Sequence, residues 1–263
     1  MEKQISHNEF ADKATELAKW GGEYALSKQH DIKIGTKGGD PRDLVTNIDT
    51  EIDVEIRKRI SEVYPDHGFY SEESGVVREE LNHSWAVDPI DGTSNYARGI
   101  PHYACCVSYL ENNEVQAAAI YNPTTNECFT LKVGKAYLND RELKVSNVRH
   151  LVDAGVIFTP GRKEEMREWA GESIKKLLQN AKKNRNYGSS ALDLCFLASG
   201  RMDAVVYGTF CTLDVAGAIE MVRVAGGEVY NYDTKEPVEF VADSQRIIAT
   251  STPELLNEFI QQY

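Results

Sequence analysis

The chain has 263 residues, 41% of them hydrophobic, and a formal net charge of −12. That is enough apolar material for a substantial core, in one large domain or two closely packed lobes, while the acidic balance argues against nucleic acid as a partner, since its phosphates are held mainly by Lys and Arg. Five cysteines, two of them adjacent at Cys105 and Cys106, make neither an even disulfide framework nor a zinc-ligand spacing, and no apolar run reaches the ~18 residues that a bilayer crossing needs. With no apolar signal segment after Met1, the expected setting is cytoplasmic and away from membranes.

In chain order, Ser6 and Glu9 form a capping box ahead of a helical pattern in which Phe10, Ala14, Leu17 and Ala18 share a face, running to about Lys28. The stretch 34–41 has the composition of a loop able to close over a site. Ile48, Ile52, Ile56 and Ile60 then recur every fourth position, marking a second helix that ends before Pro65 and has Asp49 on its first turn. Gly68 to Ser71 reads as a short strand delivering Glu72 and Glu73 to its end.

The most informative segment follows. Trp85 to Val87 read as a buried strand that ends in Asp88-Pro89-Ile90-Asp91-Gly92-Thr93. Pro89 fixes its own φ and keeps Asp88 out of the helical region, so the chain turns sharply and can aim Asp88 and Asp91 at one point. Gly92 permits close approach of a ligand, and Thr93, Ser94 and Asn95 read as the start of a short helix whose free amides favour a phosphate. Beyond it, 104–110 and 115–121 are expected to form a hairpin, with further strand material at 128–133 and at 143–145 after the Asn139-Asp140 turn.

The second half alternates strands and helices: a strand at 156–158, helices at 163–181 and 191–198, a strand at 204–207, and a helix opened by Asp214 and stopped by Gly226-Gly227. The change in pattern suggests two lobes, 1–149 holding most of the acidic residues and 150–263 contributing Asp214.

Asp49, Glu72, Asp88, Asp91 and Asp214 all fall at predicted strand ends or helix starts, the positions from which side chains meet in a crevice. Two unpaired carboxylates about 4 Å apart repel by roughly 4 kcal/mol at an effective dielectric near 20, so such a cluster calls for cations. All-oxygen donors without nearby His or Cys pairs suit Mg²⁺, with Mn²⁺ or Ca²⁺ as competitors, and not zinc.

Together, Asp43-Leu44-Val45-Thr46 with Asp49, Glu72-Glu73-Ser74, Asp88 to Tyr96, and Leu213-Asp214-Val215-Ala216-Gly217 with Ala225-Gly226-Gly227 resemble the inositol monophosphatase family in order and spacing. The similarity covers nearly the whole chain, including Ala198 to Ala204. It implies an α+β fold, the layered α-β-α-β-α sandwich shared with fructose-1,6-bisphosphatases, and a phosphoric monoester hydrolase dependent on Mg²⁺. By position, Glu72, Asp88 and the carbonyl of Ile90 would hold one ion, and Asp88, Asp91 and Asp214 a second; a third, weaker ion rests on Glu72. Glu72 and Thr93, with Asp49 behind them, would orient the attacking water, and the amides of Gly92 and Thr93 would hold phosphate oxygens. Asp91, Ser94, Gly188, Ser189, Tyr207 and Asp214 complete the expected substrate contacts. The resemblance also implies substitution by Mn²⁺, inhibition by Li⁺ and a homodimer.

Three residues depart from the pattern. Ser71 stands where the family usually has Gly, Leu213 where it commonly has Trp, and Tyr207 where inositol-hydrolysing relatives place a glutamate that bonds sugar hydroxyls. A small phosphorylated metabolite is the expected substrate, inositol monophosphate first, with histidinol phosphate, fructose 1,6-bisphosphate or a nucleotide 3′/2′-phosphate as alternatives. Two readings of other classes compete. A haloacid-dehalogenase-type phosphatase would space its aspartates two apart, whereas Asp88 and Asp91 stand three apart. A non-catalytic binding or regulatory protein would lack a metal ligand, and none is missing.

Overall fold

Period-four apolar stripes build the outer helical layer. Helix α1 (His7–Ser27) buries Phe10, Ala14, Leu17 and Ala18, and α2 (Asn47–Val63) buries Ile48, Ile52, Ile56 and Ile60, each along one face. The computed structural model describes residues 7–78, 82–161, 164–241 and 244–262, so the expected cap at Ser6 lies outside the described residues. Where a loop was expected at 34–41, β1 (Ile34–Thr36) pairs antiparallel with β2 (Leu44–Thr46), joined through a 3₁₀ turn at Lys37–Gly39. This short ribbon leads straight into the Thr46 cap of α2.

The first sheet contains β3 (Gly68–Ser71), β4 (Gly75–Arg78), β5 (His83–Asp91), β6 (Ala104–Glu111), β7 (Glu114–Asn122), β8 (Glu127–Lys132), β9 (Lys135–Leu138) and β10 (Arg141–Glu142). Their order is β10-β9-β8-β7-β6-β5-β3-β4, with only β3 and β5 running parallel. Strand β5 outruns the expected stretch and reaches Asp91, because its pairing with β6 resumes past Pro89 after a register shift between Asp88 and Asp91. A proline lacks the N–H that a ladder needs, so a bulge is its natural place in a strand. The short α3 (Thr93–Ala97) follows. Residues 143–145 do not form the expected strand: the Leu143 N–H donates to Ala136 and the Val145 N–H to Ala225, so the chain leaves the sheet here.

The second half runs in chain order through β11 (Gly155–Thr159), α4 (Arg167–Asn180), β12 (Lys183–Arg185), α5 (Ser190–Ala198), β13 (Ala204–Cys211), α6 (Ala216–Val224), β14 (Glu228–Asn231), β15 (Ser244–Thr250) and α7 (Pro253–Gln262), and its five strands form the second sheet. The strand order is β12-β11-β13-β15-β14. Helix α4 starts later than expected, after a 3₁₀ turn, and Lys163 lies outside the described residues. Asp214 stands on the turn before α6 rather than within its first turn.

Alternation along the strands sets the layering. On β5, Trp85 and Val87 pack with α1 and α2, while Ala86 packs with α5 and α6. On β13, Val205 and Tyr207 face α5 and α6, while Ala204 and Val206 face α4 and α7. The result is the expected α-β-α-β-α sandwich, with α5 and α6 enclosed between the two sheets and sharing one core with both. All five cysteines are free thiols, and no helix among the described residues is long and apolar enough to cross a membrane.

Candidate active site

The acidic residues meet where β3 and β5 end against the amino-terminal ends of α5 and α6. Asp88 shares the face of Ala86 and so points toward the middle layer; it is buried, and its Oδ1 accepts the Ile90 N–H at 3.0 Å. Asp91 reaches α5, where it accepts the Ser189 hydroxyl and the N–H groups of Ser190 and Ala191, each of the latter at 2.9 Å. These are donors that a helix start leaves without partners, so Asp91 ties the first sheet to the middle layer. Gly92 follows with φ of 93°, and a Cβ there would meet the carbonyls of His102 at 3.1 Å and Gly188 at 3.2 Å. Conformation and space both demand glycine.

Thr93 Oγ1 lies 3.0 Å from the Ile90 carbonyl and 3.2 Å from Asp49 Oδ1. Asp49 is fully buried and closes the capping box of α2, its other oxygen accepting the Thr46 N–H at 3.0 Å and the Thr46 hydroxyl. It is therefore both a helix cap and a neighbour of Thr93. Glu72 continues the β3–β5 pairing by one further bond, its N–H donating to Val87 at 3.1 Å, which brings it beside Asp88. Lys37 Nζ lies 2.8 Å from the Glu72 carboxylate and 2.8 Å from that of Glu73.

Asp214 enters from the second sheet and accepts the Tyr70 hydroxyl at 2.9 Å. Tyr70 was not singled out in the sequence, although strand alternation offered a signal: Phe69 packs with α1 and α2, so Tyr70 must face the middle layer. Its hydroxyl also lies 3.1 Å from Cys211 Sγ. Among the other expected contacts, Ser189 is buried against Asp91, Gly188 lies beside Asn95, and Ser94 is exposed on α3. Tyr207 is 1% exposed and donates its hydroxyl to Asp193 Oδ2 at 2.6 Å, with a further side-chain hydrogen bond to Ser190, so it stands behind the crevice rather than in it.

Electrostatics show that these carboxylates share one field. Burial, then repulsion from Glu72, Asp91 and Asp214, pushes the Asp88 carboxyl well above its ordinary value. Burial and Glu72 raise Asp214 to about 8. Burial raises Asp91 to about 6, against the bonds from Ser189 and α5, and raises Asp49 to about 6, against those from Thr46. Burial also lifts Glu73 to about 7. Burial alone would lower the Lys37 ammonium, but Glu72 and Glu73 hold it above its usual value.

Among the described residues, no three His, Cys, Asp or Glu side chains form a ready-made metal cluster. Asp91 is turned to α5, Asp214 to Tyr70, and Glu72 to Lys37. The donor set still fits a hard divalent cation, because it is all oxygen and its buried carboxylates repel one another.

The family model for the inositol monophosphatase family matches residues 7–263. Nus factor SuhB of Xylella fastidiosa is 38% identical over 196 residues, covering 72% of this chain and 70% of that protein. Inositol-1-monophosphatase of Caulobacter vibrioides is 32% identical over 213 residues, covering 78% of this chain and 82% of that protein. The crystal structure of extragenic suppressor protein suhB from Bartonella henselae superposes with a TM-score of 0.85 at 28% identity, covering 95% of this chain and 96% of that one.

Proposed function

The chain belongs to the inositol monophosphatase family, and from that premise we propose that it hydrolyses a small phosphate monoester with Mg²⁺, inositol monophosphate being the first candidate. The observation that supports this most is the set of buried, mutually repelling carboxylates of Asp88, Asp91 and Asp214, with Glu72 beside them and the Gly92 turn alongside. Glu72, Asp88 and the Ile90 carbonyl would hold one ion; Asp88, Asp91 and Asp214 would hold a second, and Glu72 contributes to a third. Mn²⁺ substitutes and Li⁺ inhibits in this reading. When bound, Mg²⁺ supplies a more acidic water and a counter-charge for the phosphoryl group and leaving oxygen.

The protein's own groups do the rest. Glu72 and the Thr93 hydroxyl, backed by Asp49, orient the attacking water, and the amides of Gly92 and Thr93 hold phosphate oxygens. In this reading residues 1–149 form a lobe carrying most of the metal ligands and residues 150–263 a lobe contributing Asp214 and substrate contacts, in a homodimer. Several relatives carry the name Nus factor, which suggests a second, non-catalytic reading; in this chain every acidic residue of the phosphatase set is present, and that favours hydrolysis.

The test is phosphate release with Mg²⁺ from inositol 1-phosphate, histidinol phosphate, fructose 1,6-bisphosphate, 3′-phosphoadenosine 5′-phosphate and NADP, each repeated with EDTA. We expect release from inositol 1-phosphate that EDTA abolishes. Release that persists in EDTA, or none from any compound, would overturn the reading.

A further inference from the structure

A buried polar array beside the Gly92 turn has no task in the chemistry above. Tyr207 on β13 gives its hydroxyl to Asp193 Oδ2, and Asp193, in the first turn of α5, is 0% exposed. The other oxygen, Asp193 Oδ1, faces His102 Nε2 at 3.6 Å, and both atoms are buried without a hydrogen-bond partner. That separation lies beyond an ordinary hydrogen bond yet within ion-pair reach, so a small ring movement would join the two. Burying a carboxylate away from water is costly unless its bonds are satisfied. Burial raises the Asp193 carboxyl, and His102 and Tyr207 draw it back.

His102 also stands in the wall of the candidate site. Its carbonyl accepts from Asn95 Nδ2 at 2.8 Å, and the same nitrogen donates to the Tyr187 carbonyl at 2.7 Å, so Asn95 ties the phosphate turn to both residues. The His102 ring lies 5.3 Å from the Tyr187 ring and 5.5 Å from Phe196. Nε2 is buried, yet the side chain keeps 16% of its surface open, so that exposure belongs to the rest of the residue. An imidazole whose Nε2 faces a carboxylate carries its proton there, which leaves Nδ1 as an acceptor when the ring is neutral.

Resting on the phosphatase reading, we propose that His102 is a specificity residue: Asp193 and Tyr207 set its Nε2–H, and Nδ1 accepts a hydrogen bond from a hydroxyl on the alcohol half of a polyol monophosphate. Asp193 and Tyr207 are then positioning residues. Tyr207, standing where a substrate-bonding glutamate was expected, serves the alcohol indirectly.

The experiment compares kcat/KM for inositol 1-phosphate with that for p-nitrophenyl phosphate, whose leaving group has no hydroxyl beside the ester. One hydrogen bond corresponds to a change of about tenfold. His102→Ala is expected to lower the ratio of the two constants by about that factor. His102→Asn keeps an acceptor near the Nδ1 position and should restore most of the ratio, and Tyr207→Phe should lower it part of the way. A parallel fall for both substrates, with the ratio preserved, would overturn the proposal. Ring ¹⁵N signals of His102 in the wild-type protein with Mg²⁺ give a readout without turnover. A shift on adding inositol 1-phosphate, but not inorganic phosphate, supports the assignment; no shift, or equal shifts, defeats it. If neither ester is hydrolysed, the phosphatase reading fails and the ring signals alone decide the role of His102.

Discussion

Asp91 has two tasks that a single substitution separates. It accepts three bonds from Ser189, Ser190 and Ala191 at the start of α5, and it belongs to the proposed metal set. Asp91→Asn replaces one acceptor oxygen with an amide that donates, so one of those helix-start groups loses its partner. The expected cost is about 1–2 kcal/mol of stability in urea unfolding, with the fold retained. Phosphate release should fall by at least about a hundredfold, the scale seen when one transition-state partner is lost. A variant with near-normal turnover would remove Asp91 from the metal set. The motif around Asp88 was legible because proline, glycine and two carboxylates constrain one short turn. The link from Asp91 to α5 was not, because it joins residues far apart in sequence, and nothing local in Ser189-Ser190-Ala191 marks a partner. Tyr70 was hidden for the same reason, since it acts through a side chain brought near by the tertiary fold, and so were the partners of Asp193.

At the scale of elements, α6 is held against the first sheet by a residue with no side chain. A Cβ at Gly217 would lie 2.4 Å from Ala118 Cβ and 2.8 Å from Ser108 Oγ, and the Gly217 N–H donates to that oxygen at 3.0 Å. Asp214 stands on the turn immediately before this helix. In an open helix, Gly→Ala stabilises by up to ~1 kcal/mol. Here the added methyl must push α6 off β6 and β7, so Gly217→Ala should instead cost about 1–3 kcal/mol. Because Asp214 moves with the helix, calorimetric titration should show weaker Mg²⁺ binding in the same variant. A stabilised variant with unchanged Mg²⁺ affinity would show that α6 is not packed this closely. Helices α1 and α2 and the β6–β7 hairpin were legible because their apolar spacing repeats over several turns or residue pairs. Short edge strands carry no such pattern: in β12, Lys183-Asn184-Arg185 is polar throughout, and it is a strand only because β11 pairs with it. Strand β15 and helix α7 also went unread, although β15 pairs with both β13 and β14.

For the whole molecule, the acidic site couples the two sheets to pH. Glu72 and Asp88 come from the first sheet, Asp214 follows a strand of the second, and Asp91 bonds the helix between them. In an unfolded chain these aspartates titrate near 4, whereas in the folded protein Asp91 titrates at about 6 and Asp214 at about 8, with Asp88 also raised. The folded state therefore binds more protons over this interval. Its advantage is complete below the unfolded pKa and is lost as pH rises through the folded values. In EDTA, the melting temperature should fall between about pH 5 and pH 8. A divalent cation binds the ionised carboxylates, so Mg²⁺ should raise the melting temperature much more at pH 8 than at pH 5. Net charge also grows more negative over this range and would destabilise any acidic protein, but dispersed surface repulsion is screened by monovalent salt. Repeating both melts in high NaCl separates the two causes. A pH-dependent loss that persists in NaCl and is reversed by Mg²⁺ belongs to the buried cluster; a loss that NaCl alone removes would mean that these carboxylates do not share a site where the sheets meet.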